Sequence, residues 1–451
     1  LQMLLAIACD AALATAATER IEVTRIPNAT AWRLTRNGTM LPFLVGLNHP
    51  HTLWDPCNAG DVECAHYQVF QRRYGGNLTA AAAAQLQQYA EWGFNAAGYD
   101  SPPLHHAALP FLELTMPLDT DANDGSSSGP SCWKPDGHLL FPDPWNATVV
   151  KGATVGITRH CERTKPFRQN LIGYIFTDTP AFNITKTQME RGSDWVTAIR
   201  CLPDNSSPAP GRQAYTAFLK RRYGSENATR VCEAYGVPQA GSRCRSWDTV
   251  ALDICAAGVR NVDHPTMLED DYLFLPEIVE QYYGFASRAV RACDPAANIL
   301  ADTIRSPWTP DSIIRLIGKY ADILSFQPDG AFFDAAEIDR LSRLSGLPVI
   351  IADIGFGWRR PAQTRYNNTE WTMYGNQTAA GAAYKTFVAG SAGSGKVLGL
   401  QKCQYIDQFL LQPEATLKPG MLDFDGSPHQ PFTSLVVAAN ADAQRAFRGE
   451  K

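Results

Sequence analysis

The sequence predicts an α/β fold: a (β/α)8 TIM barrel with a short N-terminal β-hairpin lead-in and long disulfide-bearing loops. Three observations point to it. About eight short, almost wholly apolar runs recur along the 451 residues, most of them separated by an amphipathic stretch of helical length. Parallel strands covered on both faces read this way. No GxGxxG follows the first run, so a dinucleotide-binding open sheet has no support. No Pro/Ser linker is long enough to divide two domains, since 126–130 and 204–211 read as loops. Eight strand–helix units in one undivided chain argue for closure.

The elements follow in order. Residues 1–20, LQMLLAIACDAALATAATER, read as a secretion-signal remnant or as an ordinary helix. A short apolar stretch precedes small residues there, but Asp10 interrupts it and no basic start is present. Residues 21–41 form the lead-in, with Asn37-Gly38 supplying its turn, and the barrel is assigned to 42–445. PFLVGLNHPH (42–51) reads as the first strand, and AAAAAQLQQYAEWGF as a helix ended near Gly93. NAAGYD and LPFLELTM (109–116) are short strands, and a helix occupies Trp145 to about Arg168. LIGYIF follows, running directly into Thr177-Asp178-Thr179-Pro180. Beyond a helical middle region, ANILADTI, ADILSFQ, LPVIIADIGF and VLGLQKCQYID are strands with helices between them.

Composition narrows the setting. A net charge of −5 without a long basic run excludes nucleic acid as an expected partner. No stretch approaches 18 consecutive apolar residues, so no membrane span is expected. Nine of the eighteen asparagines open Asn-x-Ser/Thr sequons: Asn28, Asn37, Asn77, Asn146, Asn183, Asn205, Asn227, Asn367 and Asn376. That density points to an N-glycosylated, secreted or cell-surface protein with its sequons on surface loops. Eleven cysteines agree with an oxidising compartment, and the odd count leaves at least one unpaired. Cys57 and Cys64 are the expected local pair. No CxxC supports zinc, and no metal or other cofactor is expected.

In a barrel, function gathers where strands end on the C-terminal face. Those ends offer Asn48, His49, Asp100, Asp178, Asp302, Gln327, Asp353, and the group Gln401, Lys402, Gln404, Tyr405 and Asp407. Converging carboxylates suit acid–base or nucleophilic work on sugars. Each could instead cap a helix; Asp178 and Asp353 stand apart because each directly follows an apolar run and should be partly desolvated. GSAGSGKV (390–397) imitates a phosphate-binding loop, but Val397 replaces the magnesium-holding Ser/Thr and a helix precedes the glycines. It reads as a helix-to-strand connection. The histidines of LHHAAL read as loop residues.

Together the segments AWRLTRNGTMLPFLVGLNH, YAEWGFNAAGYD, FPDPWNATVV…NLIGYIFTDTP, YADILSFQ, LPVIIADIGFG and VLGLQKCQYIDQ…GMLDFDGSPHQPF resemble agarase-like glycoside hydrolases of the large retaining (β/α)8 clan. The resemblance runs from about Trp32 to Asn440 in the right order. It implies a secreted hydrolase of an algal-type polysaccharide. In most of that clan the fourth strand ends Asn-Glu and the seventh carries a Glu nucleophile. Here Asp178 matches the Asn, Thr179 matches the acid/base Glu, Asp353 stands at the nucleophile position, and Lys402 at the sugar-flooring Trp. Two readings follow. Asp178 and Asp353 are the working pair, with Asn48, His49, Thr179, Gln327, Trp358, Lys402 and Tyr405 lining the cleft. Alternatively Thr179 cannot donate a proton and Lys402 neutralises Asp353, leaving a sugar-binding or structural matrix protein. Self-assembly stays open on either reading.

Overall fold

The apolar runs pair in parallel and close on themselves. The computed structural model describes residues 19–27, 31–54, 64–117, 142–178, 180, 182–186, 194–203, 208–238, 244–306, 308–359, 372–410 and 416–448. Three strands open the chain as an antiparallel sheet: β1 (Ile21–Arg25), β2 (Trp32–Arg36) and β3 (Thr39–Met40). Asn37 and Gly38 both take positive φ between β2 and β3, as the tightest hairpin turns require. The barrel strands are β4 (Leu44–Leu47), β5 (Ala96–Ala97), β6 (Phe111–Leu114), β7 (Leu171–Asp178), β8 (Ile299–Arg305), β9 (Leu324–Gln327) and β10 (Val349–Ile354). Two short pairs, β11 (Gly357–Trp358) with β12 (Met373–Tyr374) and β14 (Gln408–Leu410) with β15 (Thr416–Lys418), decorate the end of the barrel chain. The eighth barrel strand, β13 (Val397–Lys402), closes the ring in the order β10-β13-β4-β5-β6-β7-β8-β9.

The core divides into two layers, as a barrel demands. Leu44, Ala96, Leu112, Ile172, Leu300, Ile350 and Leu398 fill the interior, and Ile21 and Leu34 of the lead-in sheet join that cluster. The lead-in therefore plugs one end of the barrel. The larger layer lies between strands and helices, where Val45, Leu47, Tyr174, Phe176 and Ile351 meet the helices. Prominent among these is the 29-residue helix Pro265–Cys293, which buries Phe274, Ile278, Tyr282 and Tyr283.

Disulfides tie the outer shell. Cys161–Cys293 joins helix Ala147–Thr164 to helix Pro265–Cys293, Cys201–Cys255 joins two short helices, and Cys232–Cys244 closes a loop. Cys403 is buried and forms no disulfide among the described residues. The expected Cys57–Cys64 bridge involves Cys57, which lies outside the described residues.

Three expected glycosylation asparagines cap helices: Asn77, Asn146 and Asn376 each accept a main-chain N–H with Oδ1. Capping uses the oxygen, so the amide nitrogen that would carry a glycan stays available. Asn37, Asn77, Asn227 and Asn376 are exposed; Asn146 and Asn183 are half-buried. Asn28, Asn205 and Asn367 lie outside the described residues. His105 and His106 are not loop residues. They are buried in helix Pro103–Ala108, and burial pulls both imidazoles down to about 4, so they pack as neutral rings.

Candidate active site

Two β-bulges decide which side chains reach the barrel mouth. Along β7 and β8, Ile175 is level with Ala301 and Asp178 with Thr303, so β7 spends three residues where β8 spends two. Along β10 and β13, Ile351 is level with Leu400 and Ile354 with Lys402, the same mismatch. A bulge re-aims the next side chain relative to strict alternation. Without it, Asp353 would follow inward-facing Ala352 onto the outer face. With it, Asp353 enters the mouth, almost fully buried, while Asp178 is half-buried at the rim.

Neighbours then fix Asp353. Asn48, wholly buried at the end of β4, donates from Nδ2 to Asp353 Oδ1 at 3.1 Å and to the Ala352 carbonyl at 2.7 Å. Gly98 makes room for that amide: a Cβ there would stand 1.8 Å from Asn48 Oδ1. His49 and Asp100 both adopt positive φ and meet through Nδ1 and Oδ2 at 2.9 Å. Two non-glycine residues in that region, hydrogen-bonded to each other, are typical of strain held at a site. Desolvation raises the Asp100 carboxyl, but the His49 hydrogen bond and the charges of His49, His51 and Arg163 outweigh it and hold it below its ordinary value. Beside this pair lies a cavity of about 580 Å³ bordered by His51, Trp54, Asp100, His106, Glu113 and Arg163. That volume is within the range of small-ligand pockets.

Several residues that the sequence reading passed over complete the mouth. The Tyr99 hydroxyl is buried without a hydrogen-bond partner among the described residues. Burial and then the charges of Asp178, Asp353, Cys403 and Asp100 push its pKa well above the ordinary phenol value. One ligand atom each of His49, Asp353 and Cys403 lies within 4.8 Å of the others. Arg305, level with Gln327 at the ends of β8 and β9, sits 5.1 Å over the Trp308 ring. Its Nε has no partner among the described residues. Tyr99 had a faint signal in NAAGYD, and Cys403 lay in the last strand run, VLGLQKCQYID.

Two of the other expected cleft residues, Lys402 and Tyr405, face the outer layer. Lys402 is level with Leu47 and Ile354, both in the outer layer, and its ammonium lies 5.5 Å from the Phe432 ring. It donates to the carbonyls of Cys403 and Pro419 and makes no ion pair with Asp353. Burial lowers its pKa to about 8, against the pull of negative charge at Cys403, Asp407 and Asp353. Tyr405 is buried against Tyr89 and Trp92, its hydroxyl donating to Gln88 on helix Leu78–Glu91. Trp358 packs edge-on to His429 and against Phe432. Asp302 also faces outward, bonded to Tyr282 and Tyr283. Asp407 pairs with His429 and accepts the Gly420 N–H. Thr179 lies outside the described residues. The structure thus brings Asn48, His49, Asp178, Gln327 and Asp353 to the mouth, and turns Lys402 and Tyr405 into the outer shell.

Overlays on solved structures match this architecture. An exo-beta-agarase aligns with a TM-score of 0.71 at 16% identity, over 96% of this chain and 66% of its own. The fold is an agarase-like glycoside hydrolase fold. PfGH50B aligns at TM-score 0.72 and 14% identity, over 95% and 67% of the two chains. The agarase AgWH50C aligns at 0.70 and 14%, over 95% and 65%. This chain therefore spans about two-thirds of the length of these structures. A beta-galactosidase from the Antarctic haloarchaeon Halorubrum lacusprofundi aligns more distantly, at TM-score 0.53 and 13% identity, over 90% and 58%. No family model matches the sequence, and no curated protein sequence matches it. At these identities the likeness establishes the fold, and chemistry belongs to the site and not to the fold.

Proposed function

We propose that the chain is a secreted glycoside hydrolase that cleaves an extracellular, algal-type polysaccharide with Asp178 as general acid and Asp353 as nucleophile or base. The observation that supports this reading is a local register shift just before each acid, between Ile175 and Asp178 in β7 and between Ile351 and Ile354 in β10, which would turn both carboxyl groups toward the same mouth. The Tyr99 hydroxyl, pushed up first by burial, is raised further by the charges of both. Asn48 orients one oxygen of Asp353 and leaves the other for the sugar. Asn48, His49 and Gln327 would bind substrate hydroxyls. The rival reading, an inert sugar-binding site, rests on Thr179 at the acid/base position and on Lys402 beside Asp353; the Lys402 half is weakened because that ammonium donates to main-chain carbonyls.

A carboxyl separation of roughly 5–5.5 Å supports double displacement, whereas roughly 6.5–9.5 Å admits a water and gives inversion. The agarase-like fold makes galactans the first substrates to try. Incubating the secreted protein with agarose, carrageenan and other algal galactans should release reducing ends, and proton NMR of the first product reports retention or inversion. Binding to a galactan without cleavage of any would replace this reading with a sugar-binding role.

A further inference from the structure

His49, Asp353 and Cys403 come from the ends of β4, β10 and β13, three strands that are neighbours in the barrel. The geometry points to a zinc site at the barrel mouth, held by His49, Asp353 and the Cys403 thiolate with Tyr99 or water as fourth ligand. Zinc bonds of about 2.0–2.3 Å set tetrahedral ligand atoms roughly 3.3–3.8 Å apart. The three atoms already lie within 4.8 Å of one another, so small side-chain rotations close the set. A thiolate and an imidazole favour zinc over magnesium or calcium, which prefer all-oxygen cages.

Supporting contacts are also in place. Asp100 holds His49 Nδ1, leaving Nε2 to ligate, which is the carboxylate–histidine arrangement that orients metal-bound imidazoles. Asn48 holds one oxygen of Asp353 and leaves the second. The Tyr99 hydroxyl is fully buried without a hydrogen-bond partner among the described residues, and its ring packs edge-on to His49 at 5.1 Å. A CxxC spacing is not needed, because the ligands converge through the fold and not through one loop. Binding replaces the thiol S–H bond with a zinc–sulfur bond, and the proton goes to solvent. Zinc on Asp353 and attack by Asp353 exclude each other, so the metal-loaded form is hydrolytically silent.

The test reads metal directly and is independent of hydrolysis. The secreted protein, stripped with chelator and reloaded with zinc, should retain about one zinc per chain by elemental analysis. Cys403→Ser and His49→Gln should each weaken binding by at least about tenfold, and Asp100→Asn by about 10–100-fold. Should those variants fail to fold, cobalt(II) added to the unaltered stripped protein should give a near-ultraviolet thiolate-to-cobalt charge-transfer band. Zinc below 0.1 per chain, a Cys403→Ser variant that binds as tightly, or a cobalt complex without that band overturns the site.

Discussion

Asp302 is held inside the shell by the hydroxyls of Tyr282 and Tyr283 and by the main-chain N–H of Thr177. Burial raises its pKa from 3.8 to about 7, and the hydrogen bonds only partly oppose that. A folded pKa above the unfolded one means the native state binds the extra proton. The stabilisation is complete below pH 3.8 and is lost as pH rises through about 7. Within that window, unfolding free energy should fall by at most about 1.4 kcal/mol per pH unit from this group. Denaturant unfolding between pH 4.5 and 8 should show the slope, and Asp302→Asn should flatten it; an unchanged slope in the variant would refute the assignment. The sequence offered Asp302 as a strand-end acid, and its direction could not be read there because the tyrosines that claim it lie on a helix about twenty residues earlier.

At the scale of elements, the bulges and one glycine position the chemistry. Gly98, one residue beyond β5, accepts the Asn48 side chain at a distance no Cβ would permit. Gly98→Ala should displace that amide, release Asp353, and cut galactan hydrolysis by about 10²-fold, the usual scale for an ångström-level misplacement. Circular dichroism should stay native, and a variant with full turnover would show that Asn48 does not position the acid. This level was only partly legible in sequence. Apolar runs announce strands, so β7 and β10 were identified together with the acids that end them. A single extra residue in a strand leaves the run apolar, so neither bulge was visible. Lys402 shows the consequence: its place after Leu400 in the strand was plain, but the register that turns it outward emerges only from pairing with β4 and β10.

Across the whole molecule, the barrel, its lead-in plug and its disulfide-tied shell agree with the secretory composition. Eight doubly covered strands were readable because helices and sheet impose different apolar periods. Disulfide partners were not, since Cys161 and Cys293 stand 132 residues apart. Exposed Asn37, Asn77, Asn227 and Asn376 should carry glycans. Enzymatic deglycosylation of the protein made through a eukaryotic secretory pathway should convert them to aspartate, detected by peptide mass spectrometry; unmodified asparagine at all four would contradict the secretory reading.

Whether Asp178 and Asp353 work as a pair on a polysaccharide is read from rates of reducing-end release from the best galactan. Asp178→Asn and Asp353→Asn should each lower turnover by at least about 10³-fold while leaving galactan binding within a few-fold. Turnover that survives either change, or a native protein that binds galactan and never cleaves it, would contradict the account.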